Sequence, residues 1–306
     1  MFIVTKVVKM KKRILLGFPA FCVAFLFGYI VVPQMTTVSQ ETVVRKPANN
    51  AASITTEYAP SDELEILDEV NDFANNDIRS YQLKLIEIGE FHGDEVPARN
   101  GEEWLGLFQE GTKYSLRPTN VKIARVHDDI VDGGTKSLMS GKSVDVQGGN
   151  KPILLVQNAL ILRPGRVVGA FRGADEGLID RLEMSGIEMG DPYTRLEKGF
   201  RCQFDIGGKT FTLKVIEAQN KNGEKILALA LYADSSRQIL HTTNVNFNPD
   251  LGELYWVGDL DHDGKPDIFC NLFEHYNVNN SVLFLSSSAK KGLLVKKVAE
   301  FWRTGC

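Results

Sequence analysis

From residue 82 onward, apolar residues fall on alternate positions in short runs separated by Gly, Asp, Asn and Pro. Leu83, Leu85 and Ile88 form one run, Val121, Ile123 and Val126 another, and Val144 with Val146 a third, followed by residues 153–156. Period-two runs bounded by turn formers predict β-strands with one face buried. The second half repeats this pattern. Phe204-Asp205-Ile206-Gly207-Gly208-Lys209-Thr210-Phe211 predicts a hairpin, because Gly-Gly accepts the positive φ of a primed turn. Further strands are expected over 213–216, 226–232, 238–242, 254–257, 268–273, 282–286 and 293–301, with a turn at Asn220-Lys221-Asn222-Gly223. The expected fold is mainly β, with two β-rich, sandwich- or barrel-like units. They span residues 81–175 and 176–306, close to the usual domain size of about 100–150 residues, with one fused domain as the alternative.

The N-terminal pattern differs. Lys6, Lys9, Lys11, Lys12 and Arg13 precede a stretch over residues 14–33 that carries no charge. About twenty apolar residues span a bilayer. A cleavable signal has a shorter apolar core and a small-x-small exit, whereas the exit here is Tyr29-Ile30-Val31-Val32-Pro33. The expectation is a basic cytoplasmic tail (1–13) and a transmembrane signal anchor (14–33) in a bacterial inner membrane. By the positive-inside rule the remainder is periplasmic or extracellular. Residues 34–80, rich in Thr, Ser, Asn, Ala and Glu at their start, read as a stalk. Within it Leu64, Leu67, Val70 and Phe73 share a three-residue rhythm that predicts a short helix over 61–77, with an extended lead-in through Leu64-Glu65-Ile66-Leu67 as the alternative.

The strongest chemical signal is Asp259-Leu260-Asp261-His262-Asp263-Gly264-Lys265-Pro266-Asp267, four carboxylates at alternate positions around one glycine. Calcium takes about six to eight oxygen ligands at about 2.3–2.6 Å, and a tight loop supplies them from its first, third and fifth side chains and its seventh carbonyl. Those are Asp259, Asp261, Asp263 and the carbonyl of Lys265, with Asp267 closing the shell at the ninth position. Gly264 stands where the chain turns sharply, and His262 stands where a side chain points away from the ion. An EF-hand needs a bidentate Glu at the twelfth position, which is Cys270 here, and both flanks read as strands.

With Trp256-Val257-Gly258 before it and Ile268 after it, the loop resembles the FG-GAP or VCBS-type repeat of integrin-like β-propellers. The resemblance covers roughly fifteen to twenty residues and implies calcium held by Asp259, Asp261, Asp263, Lys265 and Asp267. No second copy occurs in the sequence, so a complete β-propeller is not expected. The C-terminal half also looks like uncharacterised bacterial envelope proteins that carry one such loop, which implies no activity.

Charge and cysteine content narrow the function. With 35 basic and 39 acidic residues there is no basic stripe for nucleic acid. An oxidising compartment predicts one disulfide among Cys202, Cys270 and Cys306, the pair left open; the alternative is three thiols, two of them buried in strands. His92-Gly93-Asp94-Glu95 gathers a base and two acids, but without further zinc ligands it reads as a polar turn. Glu102-Glu103-Trp104-Leu105-Gly106-Leu107-Phe108 reads as core packing beside a loop. Asp128, Asp129 and Asp132 read as a solvated turn, with a second cation site as the alternative. No serine sits in a nucleophile elbow, and Ser140-Gly141-Lys142-Ser143 lacks the first glycine of a phosphate loop. The expected function is a membrane-anchored, calcium-binding β-rich protein acting as a binding or structural module, its role and any protein or glycan partner left open. The rival expectation is a calcium-stabilised envelope hydrolase acting on glycan or peptide, in which carboxylates such as Asp94 and Glu95 would need to meet an acid partner across a groove.

Overall fold

The computed structural model describes residues 53–54, 65–67, 83–157, 160–172, 193–246, 248–275 and 277–304. The tail and anchor expected over 1–33 and most of the stalk lie outside these residues. So does most of the helix expected over 61–77, but Glu65–Ile66 within it is a strand.

Alternation builds the elements. Along Arg201–Ile206 every second residue is buried, so Cys202, Phe204 and Ile206 face inward while Arg201, Gln203 and Asp205 face water. In chain order the strands are β1 (Ser53–Ile54), β2 (Glu65–Ile66), β3 (Lys84–Ile86), β4 (Gly89–Phe91), β5 (Glu103–Glu110), β6 (Lys113–Val126), β7 (Gly141–Val146), β8 (Leu154–Gln157) and β9 (Gly165–Arg172). They continue as β10 (Thr194–Glu197), β11 (Arg201–Ile206), β12 (Lys209–Gln219), β13 (Lys225–Ala233), β14 (Ser236–Asn244), β15 (Asp250–Asp259), β16 (Asp267–His275), β17 (Val278–Leu285) and β18 (Lys296–Thr304). No helix occurs among the described residues.

The larger sheet has the order β18-β17-β16-β15-β9-β6-β5-β8-β3 and curls until its two end strands are neighbours. It is a nearly closed barrel. Each strand of the ring supplies its interior: Ile86, Leu155, Leu107, Leu116, Val167, Trp256, Phe269, Leu285 and Ala299 belong to one core. Burying each large apolar side chain contributes about 1.5–3 kcal/mol. The smaller sheet, β1-β11-β12-β13-β14, packs against the outer face of the barrel wall. Phe204, Leu213, Leu229 and Leu231 there meet Leu254, Val257, Ile268, Cys270, Val282 and Phe284 of β15–β17.

Strands β15 to β17 therefore bury both faces. A bulge at Tyr255 makes this work on β15: Leu254 pairs with Cys270 and Trp256 with Phe269, so the extra residue puts Leu254 and Val257 on one face and Trp256 on the other.

The boundary expected between 175 and 176 is not a domain boundary. β9 pairs with β6 on one side and β15 on the other, so both halves share one sheet. Ala48–Cys306 form one compact unit. Cys202 and Cys270 are buried thiols in the core between the sheets and form no disulfide with each other; Cys306 lies outside the described residues.

Candidate metal centre

The aspartate loop connects β15 to β16, as its apolar flanks predict. Asp259 ends one strand and Asp267 starts the next, and Gly258 pairs with Asp267, so the ladder fixes both ends. The turn between them passes through two left-handed residues, His262 at φ 65° and Gly264 at φ 78°. His262 is exposed, as its position in the loop predicts.

Asp259, Asp261 and Asp267 each bring a carboxylate oxygen within 4.8 Å of the others. Oxygens bound to one calcium at about 2.3–2.6 Å lie at most about 5 Å apart, so the three can share an ion. Asp267 is fully buried and rigidly held. Its Oδ2 accepts from the Leu260 amide at 2.7 Å and the Asp261 amide at 3.2 Å, while its Oδ1 accepts from the Ser286 amide at 2.8 Å and hydroxyl at 3.1 Å. Burial pushes its carboxyl well above the usual carboxylate range, and the charge of Asp261 adds to this. Asp259 is 8 % exposed; its Oδ2 accepts from the Gly264 amide at 3.1 Å. Its Oδ1 is buried and has no hydrogen-bond partner among the described residues. Burial raises this carboxyl too, against the Gly264 bond.

That orphan oxygen tests the fit to a metal. Leaving a buried acceptor unsatisfied costs about 1–3 kcal/mol, and a hard dication would satisfy it. The donor set is all carboxylate oxygen, the chemistry of calcium and magnesium rather than of soft-ligand metals.

Asp263 departs from the expected set. It lies outside the three-oxygen cluster. Its Oδ1 accepts from the Lys265 amide at 2.9 Å and from the Ser286 hydroxyl at 2.8 Å, and its Oδ2 pairs with Lys265 Nζ at 3.4 Å. Lys265 thus meets Asp263 through its amide and ammonium groups. Ser286 and Ser287, which the motif does not contain, brace the loop from the far end of β17: Ser286 joins Asp263 to Asp267, and the Ser287 hydroxyl donates to Asp261. Only their place after an apolar run marks them in the sequence. The Gly207-Gly208 turn of the β11–β12 hairpin presses on the same loop, where a Cβ at Gly207 would lie 2.1 Å from the Gly264 carbonyl oxygen.

A second polar site lies at the barrel's seam. A cleft of about 810 Å³ opens between β3 and β18, lined among others by Lys84, His92, Asp94, Glu95, Trp302 and Arg303. Gly93–Glu95 form the expected turn, closed by the Glu95 amide on the His92 carbonyl at 3.0 Å. His92 Nδ1 lies 2.6 Å from Asp128 Oδ2. This hydrogen bond raises the imidazole's pKa and lowers that of Asp128.

The solvated turn expected at Asp128, Asp129 and Asp132 is corrected here, because Asp128 and Asp132 are buried. Asp128 caps the amides of Ile130 and Val131, and Asp132 accepts from the amides of Asp128 and Ser140. The run from Glu102 to Phe108 packs as expected, with Trp104, Leu107 and Phe108 buried.

No protein-family model, no curated protein and no solved structure matches the chain.

Proposed function

We propose that the protein is a β-rich binding or structural module whose β15–β16 loop takes one calcium ion, held by Asp259, Asp261 and Asp267. The observation that carries this reading is a buried Asp259 oxygen, Oδ1, with no hydrogen-bond partner among the described residues, on one of three carboxylates that converge in one loop. Asp263 and the Lys265 carbonyl complete the ligand set implied by the FG-GAP resemblance. In the bound loop the ion supplies the positive charge that offsets three neighbouring carboxylates. The chain's own part is to preorganise them: Ser286 and the Leu260 and Asp261 amides hold Asp267, and Gly264 holds Asp259. The uncharged stretch over 14–33 supports anchoring in a bacterial inner membrane, with the module outside the cytoplasm. Extracellular sites of this kind bind calcium at about 10⁻⁴–10⁻³ M, near the concentrations met there.

The test is thermal unfolding of the full-length chain in chelator and in millimolar calcium. At 1 mM calcium, tenfold above a Kd of about 10⁻⁴ M, linkage adds roughly 1.4 kcal/mol, which raises Tm by about two degrees. Asp259→Ala should lose that rise. An unchanged Tm in the unsubstituted protein would remove the cation from the reading.

The His92–Asp128 pair at the rim of the seam cleft favours a second reading, an envelope hydrolase acting on glycan or peptide with His92 as general acid or base. Turnover of a cell-wall glycan or peptide substrate that disappears in His92→Ala supports it, and a blank screen removes it.

A further inference from the structure

The cleft lies over the seam, where β3 and β18 are neighbours without a ladder between them. Alternation sorts its lining. Phe301 belongs to the barrel core and Arg303 turns inward to pair with Glu87 at 3.2 Å, so Trp302 between them faces outward, 43 % exposed. Leu83 and Leu85 are buried, and Lys84 between them is exposed. What the two strands offer a ligand is therefore an indole and an ammonium group. A frame of hydrogen bonds stands beside them. Glu95 Oε1 accepts from the Thr304 amide at 2.6 Å and from its hydroxyl at 2.8 Å, which ties the 92–95 turn to the end of β18. Glu95 Oε2 accepts from the His92 amide at 3.1 Å. The His92 ring pairs with Asp128, whose Oδ1 accepts from the Ile130 and Val131 amides at 3.1 Å each. These bonds fix the backbone around Asp94 and Val131 and leave both side chains exposed in the cleft.

We propose that this cleft binds a neutral oligosaccharide, with the Trp302 indole as the surface on which a sugar ring stacks. Its volume of about 810 Å³ is that of a small-ligand site. An exposed indole beside the aliphatic side chains of Val131 and Pro97 suits a ring with apolar C–H faces. Asp94 only accepts hydrogen bonds and Lys84 only donates them, whereas a sugar hydroxyl does both. These two exposed groups carry opposite charges, so the ligand they suit has none of its own. A lipid chain would desolvate both charges without pairing either, and a polyanion would meet Asp94 and Glu95. The proposal rests on the binding-module reading above and names its partner class. No residue of the aspartate loop lines the cleft, so sugar binding should be equal in chelator and in calcium, and either reading can fail without the other.

Trp302 is its own reporter. The other two tryptophans of the chain, Trp104 and Trp256, are buried in the barrel, so acrylamide quenches Trp302 first. The full-length chain is titrated with neutral hexasaccharides of glucose, mannose, xylose and N-acetylglucosamine. At least one should remove most of the Trp302 quenching. By calorimetry, Trp302→Ala should weaken binding of that sugar roughly tenfold or more, and Asp94→Ala should weaken it roughly tenfold. Both side chains are exposed, so both variants should keep the Tm of the unsubstituted protein. If Trp302→Ala lowers Tm, the quenching of the unsubstituted chain and the affinity of Asp94→Ala decide. Quenching that none of these sugars lowers overturns the proposal, and so does binding that neither substitution weakens.

Discussion

Gly207 shows how one missing side chain joins two parts of the molecule. Its φ of 58° and its approach to the Gly264 carbonyl leave no room for a Cβ, which would lie 2.1 Å from that oxygen. Gly207→Ala should cost about 1–3 kcal/mol, measured by urea unfolding, because left-handed strain and overpacking act together. It should also weaken the proposed calcium binding by displacing the loop. Its neighbour Gly208 has a positive φ but open space around it, so Gly208→Ala should strain the turn without moving the aspartates. His241 offers a second test at this scale. Burial, aided by the charge of Lys297, drops its pKa from 6.5 to about 4. The native imidazole stays neutral where the unfolded one takes a proton, so this contribution is fully present above pH 6.5 and is lost as pH falls towards 4. The loss approaches about 3 kcal/mol. The difference in stability between the unsubstituted protein and His241→Gln, followed across that pH window, isolates it from the carboxylates.

Among the elements, β3 and β18 are joined by side chains where other neighbours are joined by ladders. Arg303→Met leaves Glu87 buried without its cation, and burial already raises that carboxyl. A cost of about 3–5 kcal/mol is expected in urea unfolding, and the double variant Glu87→Leu, Arg303→Met should recover much of it. Equal losses in single and double variants would show that the pair does not latch the seam. The strands themselves were legible from alternation. β11 and β12 follow their Gly-Gly turn, and β15 and β16 follow the apolar flanks of the aspartate loop. What alternation hides is a strand buried on both faces: residues 226–232 read as a continuous apolar run that cannot say which residues face which core. In β13, Leu227, Leu229 and Leu231 meet one core while Ile226 and Ala228 meet another. The candidate site was legible only within the loop. Spacing named Asp259, Asp261 and Asp267, which come together, and also Asp263, which lies outside that cluster and accepts from the Ser286 hydroxyl. A partner 23 residues distant leaves no local mark. His92 and Asp128, 36 residues apart, met only through folding.

At the scale of the whole molecule, two cores share one wall. Trp104 and Trp256 report on the barrel interior, and the Cys202 and Cys270 thiols report on the core between the sheets. Neither core can loosen without exposing the backs of β15 to β17, so tryptophan fluorescence and thiol labelling should follow one coincident transition in urea. Cys202 or Cys270 reacting before the fluorescence changes would show two separable units after all. Reading the chain as two halves failed for the same reason: turn signals mark where strands end, but not that β9 would cross from one half to pair with the other. The order of the ring also bears on synthesis. Its first strand, β3, starts at Lys84, and its last, β18, ends at Thr304. During synthesis the barrel therefore lacks a stave, with Phe269 and Leu285 of its interior uncovered, until β18 has left the exit tunnel. Closure of the ring waits for its last strand, and until then the interior depends on whatever shelters a nascent chain.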